Sequence, residues 1–351
     1  MRFVFGMRAT LILLFLFITF NSNSQLGGNY AFSFIDLAYN ARSAALGGNY
    51  ISVKDGDLNI GINNPSLLNS EMTKKVSLSQ SLMSGGINYG MTDYAFQLKD
   101  IGVMSTYIKY VNYGKFNRTS INGTSEGTFT PFEMVMGAGL GRSINERISV
   151  GGNLNFIFSQ LEGYSSFGVG IDLAGTYYDE DKRILVTAMA KNAGVQFNAY
   201  AKNGNRAPLP TDFQLATSYK LEHAPFRFTL LAHHLNKWDL TYNDPTLVPT
   251  IDPLTGDTNA VERAGVVEKI ARHFTYQLEA PLSKNFHLRI GFNYHRRKEL
   301  GLETRPGAAG FSFGTALYFK KFSLDYGFVV YSSAGFNNMI SFTVNMDKWR
   351  K

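Results

Sequence analysis

Phe311-Ser-Phe-Gly-Thr-Ala-Leu-Tyr-Phe319 alternates with a period of two. Phe311, Phe313, Thr315, Leu317 and Phe319 form one mostly large, apolar set. Ser312, Gly314, Ala316 and Tyr318 interleave as a smaller or more polar one. Successive side chains of a strand point to opposite faces, so the run reads as a strand with one apolar face. The rhythm recurs in Phe322, Leu324, Tyr326, Phe328 and Val330 against Ser323, Asp325 and Gly327. It recurs again in Phe274, Tyr276, Leu278 and Ala280 against Thr275, Gln277 and Glu279. In Val150, Gly152, Leu154, Phe156 and Phe158 it runs against Gly151, Asn153, Asn155 and Ser159. Each run covers about ten residues, the length a tilted strand needs to cross hydrocarbon.

Fourteen such runs can be traced. They cover 75 to 83, 88 to 98, 101 to 112, 129 to 142, 146 to 159, 165 to 178 and 183 to 191. The rest are 211 to 220, 226 to 237, 272 to 281, 285 to 296, 310 to 320, 322 to 331 and 338 to 347. An even number is what a closed bacterial barrel with both termini on one side requires. The fold class expected is all-β, a 14-stranded antiparallel transmembrane β-barrel over residues 71–351. Connections after even-numbered runs are tiny, whereas 113 to 128, 192 to 210, 238 to 271 and 297 to 309 are long. Short turns belong to the periplasmic rim and long loops to the outside, so both termini are expected in the periplasm. Within the longest loop, Val261, Ala264, Val267, Ile270 and Ala271 are spaced for one face of a short helix.

Composition agrees with that solvent. Mean hydropathy is −0.11, and 44% of residues are hydrophobic, values ordinary for a soluble chain. A barrel strand exposes only one apolar face, so its average stays near zero. The 19 Tyr and 28 Phe suit the aromatic girdles of a membrane barrel. Residues 1–24 carry Arg2 and Arg8, the apolar run Leu11 to Phe20, and then Asn21 to Ser24. This reads as a signal peptide cleaved before Gln25, with a core too short to span a membrane. With no Cys there is no lipid-anchor cysteine, disulfide or thiolate metal site. The export pattern places the chain in the cell outer membrane, in contact with its lipid. The net charge of +7 is therefore read as attraction to lipopolysaccharide phosphates or as decoration of loops and lumen, with no nucleic-acid partner.

Residues 25–70 do not alternate. They hold Ala41-Arg-Ser-Ala-Ala-Leu-Gly-Gly48, the acidic turn around Asp55-Gly-Asp57, and Asn63-Asn-Pro-Ser-Leu-Leu68. The Gly pair ends a small helix, and Asn64 before Pro65 is biased away from one. A fourteen-stranded lumen needs filling, so this segment is expected to be an N-terminal hatch plugging it. Its structural motif residues are Arg42, Leu46, Gly47, Gly48, Asp55, Asp57, Asn63, Asn64 and Pro65. A buried Arg42 must find carboxylates: Asp55 or Asp57, or a lumen residue such as Glu133, Asp172 or Glu279.

These three motifs and the strand count resemble the FadL-like outer-membrane barrels, and within them the PorV/PorQ group of the type IX secretion system. The resemblance implies a non-enzymatic anchor that holds surface attachment-complex subunits through its outer loops. The implied partners are a PorZ-like surface protein and the PorU/PorV attachment complex. The alternatives are a FadL-like channel for small hydrophobic molecules, or a PorV-like cargo shuttle.

No catalytic residue is expected. The 6 His form no H-E-x-x-H, and neither G-x-S-x-G nor a nucleotide-cradling glycine loop occurs. Neither a cofactor nor a metal is expected. His233 and His234 with Asp239 or Asp244, and Asp252, Thr255, Asp257 and Asn259, carry metal-ligand atoms but read better as rim polarity and a solvated turn. Arg296, Arg297 and Lys298 leave a strand on the long-loop side and are candidate lipopolysaccharide contacts, with Lys115, Arg118, Lys202 and Arg206 in neighbouring loops.

Overall fold

The computed structural model describes residues 30 to 83, 86 to 242, 249 to 251, 258 to 259, 263 to 301, 307 to 332 and 335 to 349. Fourteen strands form one closed barrel, each paired antiparallel with its neighbours in chain order, the first with the last. They are β1 (Lys75–Met83), β2 (Asn88–Leu98), β3 (Gly102–Asn112), β4 (Phe132–Ser143), β5 (Ile148–Leu161), β6 (Tyr164–Asp179) and β7 (Ile184–Gln196). The second half comprises β8 (Asp212–Lys220), β9 (Arg227–Ala232), β10 (Phe274–Pro281), β11 (Phe286–Asn293), β12 (Phe311–Tyr318), β13 (Phe322–Ser332) and β14 (Gly335–Asn345). Among the described residues, helices α1 (Ala41–Ala45) and α2 (Leu58–Asn63) precede β1, and α3 (Val266–Ala271) and α4 (Tyr294–Leu300) lie between later strands. Two further hairpins, Phe116–Thr119 with Ser125–Phe129 and Thr250–Ile251 with Thr258–Asn259, stand in the loops.

The barrel is built inside out relative to a water-soluble protein. Phe311, Phe313, Leu317, Leu324, Phe342 and Leu154 are exposed on the outer wall, whereas Ser312, Asp325, Ser341, Asn153 and Asn155 are buried. Hydrocarbon demands this arrangement, and closure leaves no strand edge unpaired within it. Among the described residues no helix is long and apolar enough to cross a membrane; the strands do the crossing.

Residues 30 to 74 sit in the lumen. Their polar atoms reach opposite walls: Arg42 meets Glu279 on β10, Ser52 meets the Leu185 carbonyl on β7, and Asn59 meets Ser77 on β1. Only a segment surrounded by the barrel can touch all three. A short 3-10 turn at Ser70–Met72 leads from this segment into β1.

Two expected strands are shorter than their alternation suggested. The run 226 to 237 stops at Ala232, because His234 adopts a left-handed backbone (φ 55°) and turns the chain. The run 285 to 296 stops at Asn293, whose side chain accepts a hydrogen bond from Arg296 N and starts α4 instead. Conversely β7 runs on to Gln196, past a bulge at the Ile171/Leu173 register shift. There Asn192 has φ 56°, and its N–H donates to Asp172 at 2.7 Å. The helix expected in the longest loop is α3. The signal-peptide segment, Asp244, Asp252, Thr255, Asp257 and Val261 lie outside the described residues.

Candidate functional site

The three hatch motifs are three fittings between lumen segment and wall. In the first, Asn40 caps α1 by accepting from Ser43 N at 2.8 Å, as a residue before a helix does. Ala41, Ala44 and Ala45 are fully buried because α1 lies on a glycine strip of the wall. A Cβ at Gly314 would meet Ala45, and one at Gly327 would meet the Ala41 backbone. Small residues on both surfaces let helix and sheet backbones approach. The chain then turns at Gly47 and Gly48, with φ +88° and +107°, values that favour glycine. Gly47 N–H donates to Ser312 Oγ at 2.9 Å. Gln277 Nε2 donates to the carbonyls of Leu46 (2.7 Å) and Asn49 (2.5 Å).

The second fitting is ionic. Arg42 places Nε and Nη2 on the two oxygens of Glu279, at 2.8 and 2.9 Å. Its Nη1 lies 2.8 Å from Asp55 and 3.1 Å from Asp57. Glu279 also accepts from Tyr50 OH (2.7 Å), Arg227 Nη1 (3.0 Å) and Arg289 Nε (3.0 Å). Arg289 continues to Asp325 at 2.5 Å and to Tyr318 OH at 2.8 Å. Three guanidiniums thus interleave with four carboxylates, so the desolvation of each is met by a partner. Of the lumen partners considered for Arg42, Glu279 is the one it meets. Glu133 instead accepts from Ser159 and Tyr113, and Asp172 holds Asn153, Asn155 and Asn192.

The third fitting is the Asn63-Asn64-Pro65 turn. Asn63 Nδ2 donates to Ser43 Oγ at 2.5 Å, tying it to the first motif. Asn64 spans the gap between Ile51 O (2.7 Å) and Ser66 N (3.0 Å). The Pro65 backbone rests on a second glycine pair, Gly141 and Gly151, where any Cβ would collide with it.

Sequence reasoning missed Arg227, Arg289, Asp325 and Tyr50 in this network. The available signal was parity: Arg289 and Asp325 are charged residues on the inward side of strands, where a charge must have a lumen partner.

At the long-loop rim the three candidate basic residues lie on α4 but point apart. Arg297 Nη1 donates to Gly307 O at 2.6 Å, and Lys298 reaches Glu268 at 3.4 Å. Arg296 turns to the lumen, its guanidinium 4.9 Å from the Tyr331 ring centre. Arg118 pairs with Glu162 at 2.8 Å; Lys202 and Arg206 line a concavity of about 510 Å³ in the loops. Asp239 is not a histidine partner: it binds Lys269 at 2.7 Å and accepts from Thr241. Among the described residues no group of three or more His, Cys, Asp or Glu side chains is arranged to hold a metal ion.

A lumen cavity lined by Ile35, Lys109, Asn155 and Asn192 is about 10 Å³, and a concavity of about 330 Å³ opens beside Asp55 and Asp57 of the hatch. A concavity of about 1110 Å³ lies on the lipid-facing wall, lined by Leu140, Val150, Leu173, Phe213 and Leu215.

No family model matches the chain, and no curated protein matches it in sequence. Solved structures do. The toluene transporter TodX of Pseudomonas putida superposes with a TM-score of 0.52 at 14% identity, covering 88% of this chain and 98% of that one. Its deltaS2 mutant, described as a monoaromatic hydrocarbon channel, gives 0.53 at 14%, with 88% and 99% covered. The Ralstonia pickettii toluene transporter TbuX gives 0.50 at 11%, with 89% and 99% covered. Identities this low establish the fold alone and leave the function to be argued from this chain.

Proposed function

We propose that this chain is a non-enzymatic outer-membrane anchor, plugged by its own N-terminal segment, that holds surface subunits of a secretion machine through its long loops. The reading is the role of PorQ-like proteins in type IX secretion, with a PorZ-like subunit and the PorU/PorV attachment complex as partners. One observation carries it: residues 30 to 74 occupy the lumen and their polar atoms bond to opposite walls. The fourteen strands close without a gap, and even the β6–β7 bulge is filled, Lys191 and Asn192 both donating to Asp36 of the lumen segment. A barrel filled by its own chain leaves its loops as the surface to work with. The short turns and both termini then face the periplasm, and Arg297 and Lys298 stand at the outer rim as lipopolysaccharide contacts.

The experiment is affinity purification of the barrel from gently solubilised membranes, with and without residues 238 to 271. Loss of the surface partner in the loop variant, with the barrel still compact, is the expected result. Undiminished recovery rules out that loop, and normal cargo attachment in a strain lacking the whole protein rules out the role.

The fold likeness favours a second reading, a channel for small hydrophobic molecules through a hatch that moves. It predicts saturable binding of toluene-sized ligands by the purified barrel; no binding and no assisted uptake into proteoliposomes would remove it.

A further inference from the structure

At the long-loop rim, where β9 ends, β10 begins and α4 leaves β11, four of the six histidines meet two arginines. The rings of His233 and His234 lie 4.9 Å apart, and His295 is 6.2 and 6.0 Å from them, centre to centre. His273 Nδ1 sits 2.8 Å from the His233 carbonyl. Arg296 comes in over Tyr331 beside hatch Gly48, where a built Cβ would stand 2.6 Å from its Nη2. Arg272 is buried, with Nη2 on Glu268 at 2.9 Å.

Buried polar atoms without a hydrogen-bond partner concentrate on these elements. Of eleven among the described residues, six are His233 Nε2, Asn236 Oδ1, Arg272 Nε, Thr275 Oγ1, His295 Nδ1 and Arg296 Nη1. Buried polar groups are normally satisfied, so a cluster of exceptions calls for an explanation. The donors decide its sign. Two guanidinium N–H groups and a hydroxyl offer protons, the imidazole nitrogens do so once protonated, and the guanidiniums repel a cation. The nearby carboxylates each take one member of the cluster and leave the unpaired atoms free: Glu268 takes Arg272 Nη2 and Lys298, Glu299 takes His295 Nε2, and Asp212 takes the His234 backbone and lies 3.8 Å from its Nδ1.

We propose that this patch is a binding site for a phosphate group, held by charge-assisted hydrogen bonds from Arg272 Nε and Arg296 Nη1 and by Thr275 and the histidine rings. Asn236 Oδ1 accepts the proton of a P–OH, which separates hydrogen phosphate from sulfate. The site lies between α4 and the outer face of the hatch, so an occupant joins the two. Burial, then the surrounding imidazoles and guanidiniums, holds His295 down to about 3 and His233 well below the usual histidine value. An anion reverses that balance, so binding takes up protons and strengthens as pH falls.

The test is calorimetric titration of the mature full-length barrel in detergent with inorganic phosphate, in two buffers of different ionisation enthalpy. Saturable one-to-one binding with net proton uptake is expected, weakened at least tenfold in Arg272→Gln and unchanged in Arg118→Gln. Absence of saturable binding, or equal affinity in Arg272→Gln, overturns the proposal. If that variant does not fold, the wild type still decides: phosphate must slow diethyl pyrocarbonate modification of the clustered histidines, and an unchanged rate overturns the site. Deacylated lipopolysaccharide, with and without its phosphates, assigns the source. Binding at least tenfold tighter than inorganic phosphate, and only with phosphates present, marks a glycolipid headgroup; equal binding marks the free ion.

Discussion

Glu279 is the carboxylate on which the plug depends. It accepts from Arg42, Arg227, Arg289 and Tyr50 at 2.7 to 3.0 Å while itself 2% exposed. Glu279→Gln leaves three guanidiniums around a neutral amide, and breaking a buried ionic cluster costs about 3–5 kcal/mol. The equally short Arg118–Glu162 pair at the rim has both side chains over a third exposed, so Arg118→Ala should cost about 0–1 kcal/mol. The midpoint of heat-induced loss of the compact gel form reads both; equal shifts would show that the network does not hold the plug. Gly48 supports a second comparison. It has φ +107° and a built Cβ 2.6 Å from Arg296, whereas Gly86 has φ +82° and nothing within 4 Å. Alanine at either site meets the left-handed strain of about 1–2 kcal/mol, and Gly48→Ala must also displace Arg296. Its midpoint should therefore fall further, and a smaller fall than for Gly86→Ala would contradict the docking of α4 on the hatch.

Helix α4 carries that docking, and its histidine makes it sensitive to acid. Folded, His295 is held down to about 3, chiefly by burial and then by His234 and Arg272; released, it returns to roughly 6.5. Between those values the released form binds more protons, so docking is full above about pH 6.5 and weakens as pH falls toward 3. Amide hydrogen exchange of α4 in phosphate-free buffer should be faster at pH 5 than at pH 8 after correction for intrinsic rates. The difference should shrink in His295→Gln, and pH-independent protection in the wild type would refute the assignment. This helix also marks where strand reading runs out. Phe292-Asn-Tyr-His295 keeps alternating, so period alone extended β11; what ends it is the Asn293 cap, a local competitor that alternation does not register. β9 fails in the same way at His234, whose left-handed turn has no Gly or Asn to announce it. By contrast, the 322 to 331 run and most strand starts lie within two residues of the observed elements, because their register is set by which face meets lipid.

Taken whole, the molecule is a polar tube filled by a fitted polypeptide, and the two parts were readable to different degrees. The wall follows from chain periodicity alone. The fittings do not, because Arg289, Asp325 and the seats Gly141, Gly151, Gly314 and Gly327 are brought to the hatch by closure of the barrel. Closure also states what removing the plug would expose. The bare lumen is lined by Ser77, Ser79, Ser105, Asn153 and Gln277 and by the carboxylates Asp93, Glu133, Asp172, Asp212, Glu279 and Asp325. Basic residues face it as well: Lys75, Lys109, Lys191, Arg227, Arg289 and Arg296, as many as those carboxylates. Such a lining holds water, as porin interiors do. Deleting residues 25 to 70 should therefore convert a silent barrel into a conducting pore with little charge selectivity, while full-length protein shows no steps. Single-channel recording in planar bilayers, with a salt gradient to read the reversal potential, checks both statements. The truncated chain must first show the heat-modifiable band of a closed barrel, since it loses Arg42 from the Glu279 cluster. Steady conductance from the full-length chain would mean that the lumen segment is not a seal, and the anchor reading would lose the observation on which it stands.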